Sequence, residues 1–185
     1  MTKTEARKLA KACRAAVDLH TVGHAMAGVL FTLLAWQHAD TVLAFASMPD
    51  EPDTADILRQ ALAEGKRLLL PRVLSRTEMD WVEITALSQL QPGAYGILEA
   101  PASLPAFDTA HLGDGALALI PCLAASPDGV RLGRGGGYYD RFLAHYKGRR
   151  LLVCPTAALL GDLPCEGWDV RFSPHEILTE KGILL

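Results

Sequence analysis

Ala116-Leu-Ala-Leu-Ile-Pro-Cys122 is apolar throughout, and the glycine-rich Arg131-Leu-Gly-Arg-Gly-Gly-Gly-Tyr-Tyr-Asp140 follows it after a short loop. The first run has the length and composition of a fully buried strand. From Tyr138 onward, Tyr138, Phe142 and Tyr146 recur every four residues, with Tyr139 and Leu143 beside them. That spacing predicts a helix over 138–146. The unit is therefore strand (116–122), loop (123–137) and helix (138–146). In open α/β sheets ligands gather at the carboxyl ends of strands, so chemistry is expected in this loop.

The rest of the chain repeats the alternation. Residues 3–20, rich in Ala, Lys, Arg and Leu, predict a helix with basic residues on one side, and 22–37 a second, more buried helix. Residues 41–46 read as a buried strand that stops at Ser47-Met-Pro-Asp-Glu-Pro52, where two prolines force a loop. Asp53-Thr54 can cap a helix that runs to about Glu64 and ends at Gly65. Residues 67–73 form the next apolar run, and 79–84 alternate like a strand at a sheet edge. An irregular stretch over 91–107 is punctuated by Gly93, Gly96, Pro101 and Pro105. Residues 150–154 and 176–179 complete the strands. Alternating strands and helices predict one α/β domain over 1–185, a mostly parallel sheet flanked by helices on both faces in a Rossmann-like layered sandwich.

Bulk properties exclude several function classes. The 185 residues suffice for one sizeable core, and the net charge of −3 gives no global attraction to nucleic acid. The longest apolar stretch, 25–36, is too short to span a bilayer, and the charged first 20 residues do not resemble a secretory signal. Cys13, Cys122, Cys154 and Cys165 form no Cys-x-x-Cys pair, which argues for reduced thiols rather than a zinc ribbon or disulfide framework. A cytoplasmic monomer without nucleic-acid or membrane partners is expected.

Four of the five residues from 133 to 137 are glycine. Such a run brings backbone N–H groups close to a ligand, and leading into a helix it makes an anion site. Arg131 and Arg134 flank it and can pair with phosphate oxygens, while Asp140 can hold a Mg²⁺ that bridges them. Loop, arginines and acid describe a nucleoside triphosphate site. The segment is neither a P-loop nor a Gly-x-Gly-x-x-Gly dinucleotide fingerprint. The plainer reading is a flexible turn with solvated arginines and an Asp140 that only balances the helix start.

The same segment resembles the signature of the 5-formyltetrahydrofolate cyclo-ligase (methenyltetrahydrofolate synthetase) family, with Ile120-Pro-Cys-Leu123 before it and Asp128-Gly129 at the family's acidic-glycine turn. Lys3-Thr-Glu-Ala-Arg7, Ser47-Met-Pro-Asp-Glu51-Pro-Asp-Thr54, Gly65-Lys66, Leu70-Pro71 and Gly96-Ile97 are similar to further family segments in the expected order. The resemblance implies ATP-dependent conversion of 5-formyltetrahydrofolate to 5,10-methenyltetrahydrofolate, with ADP and phosphate released after phosphorylation of the formyl oxygen. It implies ATP contacts from Lys3, Arg7 and the segment Arg131, Leu132, Gly133, Arg134, Gly135, Gly136, Gly137, Tyr138 and Tyr139. It implies folate contacts from Ala46, Met48, Glu51 and Arg134 through Tyr138. Arg134 and Glu51 would be the catalytic pair and Asp140 the Mg²⁺ ligand.

The C-terminal third departs from the family pattern. Ala158 stands near the place of a family glutamine, and Asp169 fits the family's acid after Leu163-Pro164. His175 falls where the next family acid is expected, with Glu176 beside it, so either is a candidate second metal ligand. These departures define the alternative, a non-catalytic folate- or nucleotide-binding relative; a phosphosugar-binding protein of similar architecture would lack a use for Glu51 and the Lys3/Arg7 pair. His20 and His24 read as an exposed helix face. Trp36, Trp81 and Trp168 read as core or pocket wall, with Trp81 also available to stack on a pterin. Cys122 reads as a small buried residue beside the site.

Overall fold

The structure, a computed structural model, describes residues 1–93 and 98–185, so the Gly96-Ile97 similarity lies outside the described residues. In chain order the elements are α1 (Lys3–Ala15), α2 (Leu19–Thr32), α3 (Leu34–Gln37), β1 (Thr41–Leu43), α4 (Ala55–Ala63), β2 (Arg67–Val73) and β3 (Met79–Ile84). A small β4 (Gln91–Pro92) and β5 (Leu98–Glu99) ribbon follows, then β6 (Ala116–Pro121), β7 (Ala124–Ala125), β8 (Arg131–Leu132) and α5 (Tyr138–Leu143). The chain closes with β9 (Arg149–Val153), β10 (Ile177–Thr179) and β11 (Gly182–Ile183).

Local chemistry explains where the elements stop. The first helix ends at Ala15 rather than residue 20, because Asp18 turns the chain and accepts a hydrogen bond from His20 N to cap α2. The expected helix 22–37 is likewise two pieces, broken at Leu33, whose backbone is extended (φ −77, ψ 137). Asp53 caps α4 by accepting from Ala55 N at 2.8 Å. Thr54 instead sutures the preceding loop: its hydroxyl donates to Phe45 O and accepts from Ser47 N. Gly65 ends that helix with φ +69, as its position predicts.

Seven strands form one sheet in the order β11-β10-β9-β6-β1-β2-β3. The inner pairings β10–β9, β9–β6, β6–β1 and β1–β2 are parallel, and the outer strands β3 and β11 are antiparallel. Side chains alternate between two cores, the period-two pattern of a sheet covered on both faces. Val42, Leu68, Leu70, Leu117 and Leu119 face the helices α2, α3 and α4. Leu43, Leu69, Ala118, Ile120 and Leu152 face α1 and α5. The outer side of β3 is covered in part by the incoming loop, where Phe107 N donates to Trp81 O at 2.7 Å and Ala106 bridges Val82.

This topology positions the site. From β1 the chain crosses through α4 to β2 on one side, whereas from β6 it crosses through α5 to β9 on the other. The two crossovers part company between β1 and β6, so the loops leaving their carboxyl ends splay to opposite faces and leave a crevice. Those loops are 44–54, which carries Glu51, and 122–137, which carries the glycine run.

The β7–β8 hairpin that begins the second loop depends on Gly129. Its φ is +88, and a Cβ there would lie 1.6 Å from Phe172 O. Gly65 has a similar φ but open space around it. Gly65→Ala should therefore cost about 1 kcal/mol of stability, from backbone conformation alone. Gly129→Ala should cost about 3 kcal/mol or more, because backbone must move. Urea unfolding midpoints of the two variants test the difference.

Candidate functional site

A cleft of about 570 Å³ opens at the point where the crossovers diverge. Phe45, Ala46, Met48 and Glu51 from the loop after β1 form one side, and Leu70, Pro71 and Val73 from the end of β2 extend it. Pro121, Cys122 and Leu123 make the floor, and Arg131 with Gly133 through Asp140 make the opposite wall. The expected residues Ala46, Met48, Glu51, Arg131, Arg134, Tyr138, Tyr139 and Asp140 are thus brought together.

The glycine loop turns sharply, with Gly135 at φ +101 and Gly137 at φ +69. Both are conformations that residues with a Cβ avoid. Among the described residues, no backbone N–H from Gly133 to Gly137 has a hydrogen-bond partner. The helix after the loop is only six residues long, ending at Leu143 instead of 146. Its dipole is correspondingly small, which leaves the loop amides and arginines as the groups in this segment able to pair with an anion.

Each arginine on the wall is held by an internal partner. One terminal nitrogen of Arg131 donates to both oxygens of Asp140 at 2.8 Å, and the other donates to Pro121 O at 3.2 Å. The buried Nε of Arg131 has no partner among the described residues. Arg134 reaches across the cleft to Glu51 Oε1 at 3.0 Å and to Asp50. Burial disfavours the charge on Arg134, but the hydrogen bonds and charges of Asp50 and Glu51 outweigh it and raise its pKa. Glu51 is 8 % exposed, and its other oxygen accepts from Met48 N at 3.0 Å, which fixes the carboxylate toward the cleft.

Tyrosines complete the wall. Tyr138 donates to Ser75 O at 2.7 Å and so ties the start of α5 to the tip of the β2–β3 hairpin. Tyr139 lies beneath the Arg131 guanidinium, 5.9 Å from its ring centre. Burial, reinforced by the Glu51 charge, pushes the Tyr139 phenol's pKa up, so it stays neutral.

Other expected residues lie outside the cleft lining. Arg7 stands behind the loop, donating from Nε to Gly133 O at 3.0 Å. Lys3 pairs with Asp169 at 2.8 Å and Glu166 at 2.6 Å. Leu132 is buried in the core beneath α1 and α5. His175 is exposed, and Glu176 is engaged by Arg150 at 2.9 Å. Trp81 is buried against Phe142 and Tyr139, which removes it as a stacking surface for a pterin. Trp168 is 75 % exposed and is neither core nor pocket wall. His20 and His24 lie on the exposed face expected of them, paired with Asp53 and Asp56.

The residue that sequence reasoning missed is Arg14. It is 1 % exposed and donates to Leu123 O at 2.8 Å, to Cys122 O and to Asp50 O at 2.6 Å, joining the two loops that border the cleft. The available signal was its place two turns along from Arg7 on a single helical stripe.

Among the described residues no helix is long and apolar enough to cross a membrane, and no trio of His, Cys, Asp or Glu is grouped for a metal. The family model described as 5-formyltetrahydrofolate cyclo-ligase matches residues 2–180. A 5-formyltetrahydrofolate cyclo-ligase of Mycolicibacterium smegmatis is 30% identical over 152 residues, covering 78% of this chain and 76% of the relative. The enzyme of that name from Escherichia coli K12 is 32% identical over 137 residues, covering 71% and 74%. The solved 5,10-methenyltetrahydrofolate synthetase of Aquifex aeolicus superposes with a TM-score of 0.83 at 26% identity, covering 100% of this chain and 92% of that one. With a matching fold, a cleft at its topological divide and sequence likeness over nearly its whole length, the chain belongs to the 5-formyltetrahydrofolate cyclo-ligase family of ligases.

Proposed function

We propose that this chain uses ATP to convert 5-formyltetrahydrofolate into 5,10-methenyltetrahydrofolate. The observation that carries this reading is the wall of the cleft: five successive residues with unpartnered backbone N–H groups, beside an arginine whose buried Nε also lacks a partner. Arg134, Gly135 and Gly136 are exposed, so water meets those amides until an acceptor displaces it, whereas the buried Arg131 Nε is costly to leave unpaired; phosphate oxygens can supply acceptors to all of them at once.

A formyl oxygen is a poor leaving group, so it must first become a phosphate. The oxygen attacks the γ-phosphorus and ADP departs; N10 then attacks the formyl carbon and loses its proton as the carbon–oxygen bond breaks and phosphate leaves. Catalysis is mainly positioning and charge neutralisation. Gly133 through Gly137, Arg131 and Arg134 would hold the triphosphate, with Arg7 bracing the loop from behind. Glu51 would accept hydrogen bonds from the pterin's ring nitrogen and amino group, beside the apolar Ala46 and Met48 on the same side of the cleft. Asp140 would hold a Mg²⁺ ion through the lone pairs that its two bonds from Arg131 leave free, and oxygen ligands suit this cation. When bound, the ion would neutralise charge on the phosphates.

Purified protein incubated with 5-formyltetrahydrofolate and Mg²⁺ should show the methenyl absorbance in the near ultraviolet only when ATP is added. ATP binding without product would instead identify a non-catalytic relative. Arg134→Gln and Asp140→Asn should each lower turnover on the order of a hundredfold or more with unchanged circular dichroism. Wild-type activity in Asp140→Asn would remove Asp140 from the metal role.

To reach phosphate, Lys3 must exchange its carboxylate partners. Burial raises the pKa of Asp169, but Lys3 and the Glu166 amide outweigh it and hold the carboxyl below the usual aspartate value. A depressed carboxyl stabilises the fold above about pH 4, where the unfolded chain's aspartate is ionised, and that contribution fades as pH falls through the folded value. Lys3→Met should therefore cost about 1 kcal/mol or less at neutral pH, with the deficit vanishing in acid, and should raise the KM for ATP. Unfolding curves from pH 7 to pH 3, with ATP titrations at neutral pH, measure both effects.

A further inference from the structure

Two cysteines that the cyclisation chemistry does not use meet at the floor of the cleft. Cys122 and Cys154 each follow one member of the paired residues Pro121 and Val153 on the neighbouring parallel strands β6 and β9. Neighbours in register on adjacent strands stand about 4.8 Å apart, within the roughly 4.4–6.8 Å Cα separation of a disulfide. Both side chains pack into the core beneath α1 and α5, so they point to the same side of the sheet. Both are free thiols.

Their surroundings differ. Cys122 lines the cleft, whereas Cys154 is fully buried behind it. The backbone around Cys122 is gripped by two guanidiniums: Arg131 donates to Pro121 O, and Arg14 to Cys122 O and Leu123 O. Burial opposes ionisation of the Cys122 thiol and the Glu51 charge adds to that, but the interaction with Cys154 and the charges of Arg14 and Arg131 outweigh both and lower its pKa. Burial and the neighbouring Cys122 push the Cys154 thiol well up. One sulfur is therefore suited to attack and the other to resolve.

We propose that Cys122 and Cys154 form an oxidation-sensitive dithiol in the cleft floor, modified by hydrogen peroxide. The Cys122 thiolate attacks one peroxide oxygen, the O–O bond breaks, and hydroxide leaves with Cys122 as the sulfenic acid. Cys154 sulfur then attacks the Cys122 sulfur, gives up its proton, and water departs as the S–O bond breaks. Two thiols are oxidised by two electrons in all, and one peroxide is reduced to two waters. The new link replaces the bond from the Cys122 thiol to Val153 O, at the strand end from which the glycine loop departs. The inference stands on the cleft geometry and not on the identity of the reaction.

The test treats the full-length protein with hydrogen peroxide, quenches with catalase, caps remaining thiols with N-ethylmaleimide in denaturant, and maps unreduced peptides by mass spectrometry. The expected result is a peptide pair linked through Cys122 and Cys154, with both positions lost to capping and recovered after dithiothreitol. In Cys154→Ser, Cys122 should stop at a sulfenic acid that dimedone traps; in Cys122→Ser, Cys154 should remain reduced. The proposal is overturned if Cys122 and Cys154 of the wild-type protein stay cappable while Cys13 and Cys165 oxidise. It is equally overturned if Cys154 oxidises as fast in Cys122→Ser as in the wild type.

Discussion

A single buried guanidinium holds the cleft in shape. Arg14 leaves α1 and donates to carbonyls on both loops that leave the dividing point of the sheet. Taking that charge out of water is costly, and the three carbonyls compensate because they have left the strand ladder and need donors of their own. The exchange suits both sides: carbonyls that would otherwise be orphaned gain a partner, and the guanidinium gains several acceptors. Through it the N-terminal helix, which supplies no wall of the cleft, fixes the spacing between Glu51 and the glycine loop. The small Ala6 and Ala10 on the same helix, both buried, let it approach the sheet closely enough for Arg14 to reach.

From that spacing the rest of the site follows. Arg134 can bridge to Glu51 only if the two loops are held at the right separation, and Arg131 can reach Asp140 only because the hairpin β7–β8 aims the chain back over the strand end. The hairpin in turn rests on Gly129, where Phe172 O fills the space a side chain would need. Backbone constraints far from the chemistry thus place the groups that face the cleft.

Much of this was legible in the sequence. Residues 67–73 and 79–84 became strands with those bounds, and 116–122 and 150–154 shifted by no more than a residue, because burial on both faces or strict alternation marks a strand clearly. Helix ends were less legible: Asp18 acts as a cap and Leu33 as a break, and both are decided by single side chains and tertiary packing rather than by periodicity. In the site, loop residues were readable because glycine runs and flanking arginines carry their own chemistry. Arg14 was not, since its shared helical stripe with Arg7 is a weak mark beside the solvated Lys8 and Lys11, and the carbonyls that make its burial possible lie on distant loops. Strand order was also hidden, so the wall supplied by Leu70, Pro71 and Val73 emerged only once β2 was seen beside β1.

The pairing of Arg131 with Asp140 and of Arg134 with Asp50 and Glu51 has a kinetic corollary. A wall built from bare arginines would cast a strong positive field into solvent and draw anions in at rates that collapse with added salt. Here three internal carboxylates face the two guanidiniums and cancel that field, so encounter with an anion is governed by diffusion and orientation more than by steering. Selectivity then arises after contact, when a ligand must offer oxygens well enough arranged to compete with acids already in place. Small inorganic anions present at high concentration do so poorly, which keeps the cleft free for a ligand that brings several such oxygens together.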